Sequence, residues 1–211
     1  MYLIGIDEAG RGPLAGPVAV GAVSIPVDFN KKRFVGVKDS KKLTLQAREW
    51  WFARMLEWQL EGNFHFHVAL ISADVIDKKG ISHAIKRGIA ECLDVLDADY
   101  TTCSIVLDGS LRAPEQFRNQ KTIIKGDEKI PVISLASIAA KVTRDRYITK
   151  IAKKYPKYKL EIHKGYGTKI HRQLIKKHGP SKLHRKSFLN SLRKKSRIFR
   201  SSDLPSTRAR P

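Results

Sequence analysis

Tyr2-Leu3-Ile4-Gly5-Ile6-Asp7-Glu8-Ala9-Gly10-Arg11-Gly12 is a short apolar run that meets two adjacent acids and then an arginine between glycines. The run reads as a buried strand from Tyr2 to Ile6, and the glycines mark a tight turn after it. The same grammar returns twice: Ser104-Ile105-Val106-Leu107 ends at Asp108-Gly109, and Thr122-Ile123-Ile124-Lys125-Gly126 leads to Asp127. Around these lie helical patterns. Leu45 to Leu60 follows Thr44 as a candidate N-cap, and Ile81 to Leu96 carries apolar residues at helical spacing. Further strands over Pro17 to Ile25 and Phe64 to Val68, and helices from Ser134 to Lys154 and from a Thr168 cap to His178, complete an alternation that predicts an α/β fold.

The composition narrows the function. In 211 residues, 41 Lys and Arg face 20 acids, a net charge of +21, so the expected partner is a polyanion, with nucleic acid foremost. An anionic membrane surface or a ribosome fits the charge equally well. Cys92 and Cys103 sit in apolar segments without ligand-type spacing and read as reduced core residues, which with the absence of a secretory pattern predicts a cytoplasmic protein. No apolar run approaches the roughly 18 residues of a membrane span. Trp50, Trp51 and Trp58 read as packing groups, and His65 and His67 as one exposed strand face.

Asp7, Glu8, Asp108 and Asp127 all fall at chain breaks. If their strands are neighbours, the strand ends bring them to one sheet edge, where open α/β sheets take ligands. Carboxylates that close repel one another, and hard divalent ions, Mg²⁺ or Mn²⁺, are the partners that such a cluster suits. Two such ions, roughly 4 Å apart, support phosphodiester hydrolysis without a side-chain nucleophile. Strand alternation sends Asp7 and Glu8 to opposite faces, so a turn at Glu8 is expected if both reach metal. Gly10-Arg11-Gly12 offers a cation and approachable backbone N–H groups to a phosphate or sugar hydroxyl. Gly165-Tyr166-Gly167-Thr168 exposes a ring at a helix start, suited to stacking on a sugar or base. Lys41, Lys42, Lys141, His184 and Arg185 read equally as backbone-phosphate contacts or as ordinary solvated basic residues.

Taken in order, Gly5 to Val18, Asp39-Ser40-Lys41-Lys42-Leu43, Asp108-Gly109, Lys125-Gly126-Asp127, Ala136 to Arg146, His163 to Thr168, Gly179-Pro180-Ser181 and His184-Arg185-Lys186-Ser187-Phe188 resemble bacterial ribonuclease HII. The resemblance implies an RNase H-like fold, a mixed central sheet flanked by helices. It also implies an endonuclease that needs two Mg²⁺ or Mn²⁺ ions, cuts the RNA strand of RNA/DNA hybrids and nicks DNA duplexes 5′ to embedded ribonucleotides, leaving 3′-OH and 5′-phosphate ends. Ribonucleotide excision and RNA primer removal are the implied roles. Asp7, Glu8, Asp108 and Asp127 match the family's metal-binding acids, Gly10, Arg11 and Gly12 its loop sensing the ribose 2′-OH, and Tyr166 the tyrosine that packs on the next deoxyribose. The 2′-OH is what separates RNA from DNA chemically. Leu135 departs from the family's usual alanine. The expected organisation is a catalytic domain over residues 1–188 and a basic extension over 189–211, helical from Phe188 to Phe199 and then disordered. Residues 182–211 hold ten Lys and Arg against one acid, a charge suited to added phosphate contacts. A monomer is expected, and the sequence names no protein partner, a sliding clamp included. The rival reading, a non-catalytic basic nucleic-acid-binding protein, has no need of four acids at chain breaks. Another two-metal nuclease of the same fold, such as a resolvase or integrase, would lack the 2′-OH-sensing loop.

Overall fold

The opening apolar run is strand β1 (Tyr2–Ala9), with a hydrogen-bonded neighbour on each side. The computed structural model describes residues 1–37 and 39–190. In chain order follow β2 (Val18–Pro26), α1 (Leu45–Leu60), β3 (His65–Ile71), α2 (Ala73–Lys79), α3 (Ile81–Val95), β4 (Cys103–Asp108), β5 (Gln120–Ile123), α4 (Gly126–Lys129), α5 (Pro131–Ala152), α6 (Leu160–His163) and α7 (Lys169–His178). The strands form one mixed sheet in the order β3-β2-β1-β4-β5. β2 is antiparallel to β1 and β3, while β4 is parallel to β1 and β5. The α/β expectation therefore holds. Residues 186–190 form a helical turn, and the remainder of the expected C-terminal helix and tail lies outside the described residues. Among the described residues no helix is long and apolar enough to cross a membrane.

Side-chain alternation along β1 builds two cores. Ile4 and Ile6 join Val18, Val20 and Ala22 of β2 against Ile85, Ile89 and Leu93 of α3. On the opposite face, Leu3 packs with Val23, Ile25 and the α5 residues Val132, Ile133 and Ala136. Contact with α5 is backbone-close. A Cβ added at Gly5 would lie 2.5 Å from the Val132 carbonyl carbon, and one at Gly21 would lie 2.4 Å from the Ala136 oxygen.

Four local expectations change. β1 does not end at Ile6, because Asp7, Glu8 and Ala9 stay paired with Gly21, Val20 and Ala19. β5 stops at Ile123, and Asp127 sits in the short helix α4 rather than at a strand end. α5 starts at Pro131, whose fixed φ suits a first helical position, ahead of the expected Ser134. Trp51 and Trp58 are buried as expected, but Trp50 is exposed, meeting Trp51 in a T-shaped contact and the Arg54 guanidinium over its ring.

The close helix–sheet contact predicts that Gly5→Ala and Gly21→Ala each cost about 1–3 kcal/mol through overpacking, read as a melting temperature lower by roughly 2–4 °C per kcal/mol. Gly12→Ala, whose added Cβ would have nothing within 4 Å, should melt like the parent. Equal melting of all three variants would show that α5 does not need the bare strand positions.

Candidate active site

The parallel pairing of β1 with β4 runs through Ile6 opposite Leu107, which sets Asp7 and Asp108 side by side where the ladder ends. Alternation puts both on the α5 face, since Leu3 and Val106 pack with the α5 core while Ile6 and Leu107 pack with the α3 core. Asp127 arrives from α4 through a left-handed Lys125, φ 55°. A carboxylate oxygen from each of Asp7, Asp108 and Asp127 lies within 4.8 Å of the other two, the one such group of potential metal ligands among the described residues. Fixed donors hold the acids in place. Asp108 Oδ1 accepts from the Gly126 N–H at 2.7 Å, and Ser134 Oγ donates to the Asp127 carbonyl at 2.7 Å. The Ser40 and Ser137 hydroxyls share a 2.8 Å hydrogen bond, and Ser137 favours the ionised form of Asp7 against the burial that opposes it.

The electrostatics fit a cation-binding cluster. Burial, with the charges of Glu8 and Asp108 added, holds the Asp7 carboxyl well above the usual carboxylate range. Burial and Asp108 also raise Asp127, against the pull of Lys41. Lys41 Nζ stands 3.3 Å from Asp127 Oδ2, and Lys42 Nζ stands 2.8 Å from Glu128 Oε2. Converging hard oxygens that mutually oppose ionisation are the donor set a divalent cation stabilises.

Glu8 is not one of the three converging acids. The expected turn at Glu8 is absent, since the strand persists to Ala9 and the chain turns at Gly10, φ 86°. Glu8 instead lies 3.2 Å from Arg11, and its carboxyl is raised by burial and Asp108 while Arg11 lowers it.

Gly10-Arg11-Gly12 opens a loop that two buried arginines hold from beneath. Arg185 donates from Nε to Gly16 O at 2.9 Å, from Nη1 to Arg11 O at 2.9 Å and from Nη2 to Gly10 O at 2.8 Å. Arg144 donates from Nε to Pro17 O at 2.9 Å, from Nη1 to Lys164 O at 3.1 Å and from Nη2 to Ala15 O at 3.2 Å. Gly10 cannot carry a side chain, because a Cβ there would come within 2.1 Å of Arg144 Nε. The Tyr166 segment is tied to the same loop: Leu14 N donates to Gly165 O at 2.8 Å, and the half-exposed Tyr166 ring lies 5.5 Å from Lys141 Nζ and 5.6 Å from the Arg144 guanidinium carbon. Burial pushes His171 and His184 down to about 4, so both rings are neutral. His171 Nδ1 donates to Tyr166 O at 2.9 Å, which makes its Nε2 the acceptor from His184 Nε2 at 3.1 Å. His184 Nδ1 then accepts from Ser181.

His184 and Arg185 are thus corrected from surface phosphate contacts to interior supports. Loop carbonyls satisfy the guanidinium and neighbouring histidine and serine groups satisfy the imidazole, so neither faces a strand backbone. Lys141 pairs with Asp145 at 2.9 Å beside Tyr166. The sequence reading gave no role to Ser134, Ser137 or Arg144. Their signal was a polar stripe, Ser134, Ser137, Lys141 and Arg144, recurring every three or four residues along α5.

A family model described as ribonuclease HII matches residues 4–191. A ribonuclease HII from Caldicellulosiruptor bescii is 43% identical over 192 residues, covering 90% of this chain and 88% of that protein. The solved ribonuclease H2 of Pyrococcus horikoshii matches the fold with a TM-score of 0.69 at 27% identity, covering 96% of this chain and all of that one. An Archaeoglobus fulgidus RNase HII, solved in complex with PCNA, gives the same TM-score and identity over 88% of this chain and 94% of that one. The mixed sheet with flanking helices is the RNase H-like fold.

A raised folded-state carboxyl favours folding most at acid pH and loses that contribution as pH rises through the raised value. Without divalent ions, the protein should therefore lose stability as pH climbs from the ordinary carboxylate range to the raised value of Asp7. Asp7→Asn should melt higher than the parent at pH 7 in chelator, by roughly 2–4 °C for about 1 kcal/mol relieved. Mg²⁺ should raise the parent's melting temperature and leave the variant's unchanged; a variant no more stable than the parent in chelator would count against mutual repulsion at this site.

Proposed function

The chain belongs to the ribonuclease HII family and is a ribonuclease H, and on that premise we propose that it hydrolyses the RNA strand of RNA/DNA hybrids and nicks DNA 5′ to embedded ribonucleotides. The products are 3′-OH and 5′-phosphate ends. The observation that carries this reading is the trio of carboxylate oxygens within 4.8 Å, one of them from Asp7 on the strand that leads directly into the Gly10-Arg11-Gly12 turn. A non-catalytic nucleic-acid binder would have no use for mutually repelling buried acids.

Asp7, Asp108 and Asp127 would hold divalent metal, and Glu8, near enough for Asp108 to raise its carboxyl, would add a carboxylate by swinging away from Arg11. When bound, two ions, Mg²⁺ or Mn²⁺, supply an activated water and positive charge at the leaving oxygen. The protein groups orient and select. Lys41 and Lys42, at the rim of the cluster, meet the phosphate backbone, and their present acidic partners Asp127 and Glu128 keep them in place. The exposed Arg11 and the backbone of Gly10 to Gly12 face the ribose 2′-OH, the one group that distinguishes the cut nucleotide from DNA. Tyr166 packs its ring on the following deoxyribose, with Lys141 and Arg144 behind it. Residues 1–188 form the catalytic unit, and the basic residues beyond add phosphate contacts. A sliding clamp, the partner in the Archaeoglobus fulgidus complex, is a candidate partner here as well.

A duplex carrying one ribonucleotide should be nicked in Mg²⁺ and left intact in chelator, while an all-DNA duplex survives both. Cleavage of the all-DNA duplex would instead indicate a nuclease without sugar selection. Asp108→Asn should remove cleavage while hybrid binding, measured by anisotropy, stays largely intact; turnover at the parent rate would take Asp108 out of the metal set. Tyr166→Ala should cost about 1–3 kcal/mol of stacking, roughly a 5- to 150-fold loss at a single ribonucleotide. An unchanged rate on that substrate would exclude the ring from the site.

A further inference from the structure

Asp77, on helix α2, belongs neither to the acid cluster nor to the loops above it. Its Oδ2 accepts from the Lys186 N–H at 2.8 Å, and its Oδ1 accepts from the Ser187 N–H at 2.9 Å and the Ser187 hydroxyl at 2.6 Å. These donors open the helical turn over residues 186–190, so Asp77 caps that turn from a different helix. The residue immediately before them is Arg185. Its own N–H donates to Leu14 O at 2.8 Å, its guanidinium carbon lies 5.2 Å from the Phe188 ring, and Phe188 packs on the α3-side core. The segment is therefore held outside by Asp77 and inside by Phe188. From that position the Arg185 side chain reaches the carbonyls of Gly10, Arg11 and Gly16.

We propose that Asp77 is a positioning residue for the ribose-reading turn, acting through the Lys186 and Ser187 backbone on Arg185, and through Arg185 on the Gly10 and Arg11 carbonyls. The proposal rests on the reading of Gly10 to Gly12 as the sugar-facing turn. Asp77 is half-buried, so shortening it leaves no large cavity. Removing its oxygens would leave the Lys186 and Ser187 N–H groups to water and free the start of the turn to shift. A displacement of even 1 Å passed to Gly10 would misplace the scissile phosphate relative to the acids. Burial and Arg144 oppose the charged form of Arg185, and Tyr166 and then Asp77 favour it.

The test uses the full chain, a duplex with one ribonucleotide and saturating Mg²⁺, well below the melting temperature of every variant. Asp77→Ala should lower kcat about tenfold with little change in KM, because positioning and not duplex affinity is lost. Asp77→Asn, whose amide oxygen still accepts from the turn, should recover most of that kcat. Combining Asp77→Ala with Arg185→Lys should be no slower than Arg185→Lys alone, since both act along one path. A lower melting temperature for Asp77→Ala with parental kcat overturns the proposal, as do losses that multiply in the double variant. If Arg185→Lys does not fold, the alanine–asparagine comparison decides alone. A parent enzyme that ignores the ribonucleotide overturns the functional reading and this proposal with it, whereas one that cuts there while Asp77→Ala matches it overturns the relay only.

Discussion

Helix α5 reaches the sheet because Gly5 and Gly21 leave room for its backbone, and the position of nearly every functional group depends on that contact. Ser134, Ser137, Lys141 and Arg144 lie along the resulting face of α5, spanning eleven residues, a rise of about 15 Å of helix. In order they meet the Asp127 carbonyl, the Ser40 hydroxyl, the Tyr166 ring and the Ala15 and Pro17 carbonyls. One rigid rod thereby sets the spacing between the acids and the loops. If α5 rose even by the width of a methyl group, the hydrogen bonds at both ends would lengthen together.

The site divides into two materials. The acids sit on sheet ends and a helical turn, where backbone hydrogen bonds leave little freedom, and their raised carboxyls show what the fold tolerates to keep them together. A sugar-reading surface needs exposed backbone, which strands and helices use internally, so it falls to loops. Loops are ordinarily loose. Here Arg144 and Arg185 each place three guanidinium nitrogens on carbonyls, turning the loop's unused acceptors into its fastenings. Their side chains are fully buried, and hydrogen bonds to carbonyl dipoles offset the cost of that burial.

What was legible in the sequence follows from this division. Apolar runs and caps are local, so the order of strands and helices could be read along with the residues that end them. Asp7, Asp108 and Asp127 stood out because acids beside core strands are costly, and the cost itself pointed to one shared site. Strand ends were read less well. Polarity changes at Asp7, but the ladder continues while Gly21 and Val20 still supply partners. Asp127 read as a third strand end because the apolar pair Ile123-Ile124 precedes it, whereas the left-handed Lys125 has already started a helical turn.

Buried cations were the least legible. A basic residue in a chain of charge +21 reads as one more contact for a polyanion, and nothing adjacent in sequence marks Arg144 or Arg185 as interior. Their partners lie 129 and 175 residues away, in a loop whose carbonyls are free only because it is neither strand nor helix. Free carbonyls in a glycine-rich loop therefore create a demand for donors that the rest of the chain must supply. A guanidinium on a rigid helix or a pinned turn meets that demand with several hydrogen bonds at a fixed angle, which an ammonium group on a flexible stem does not. The proposed metal site at Asp7 and the proposed sugar-reading turn at Gly12 lie only a few residues apart, but holding them in register takes α5 from one side and the 183–188 segment from the other.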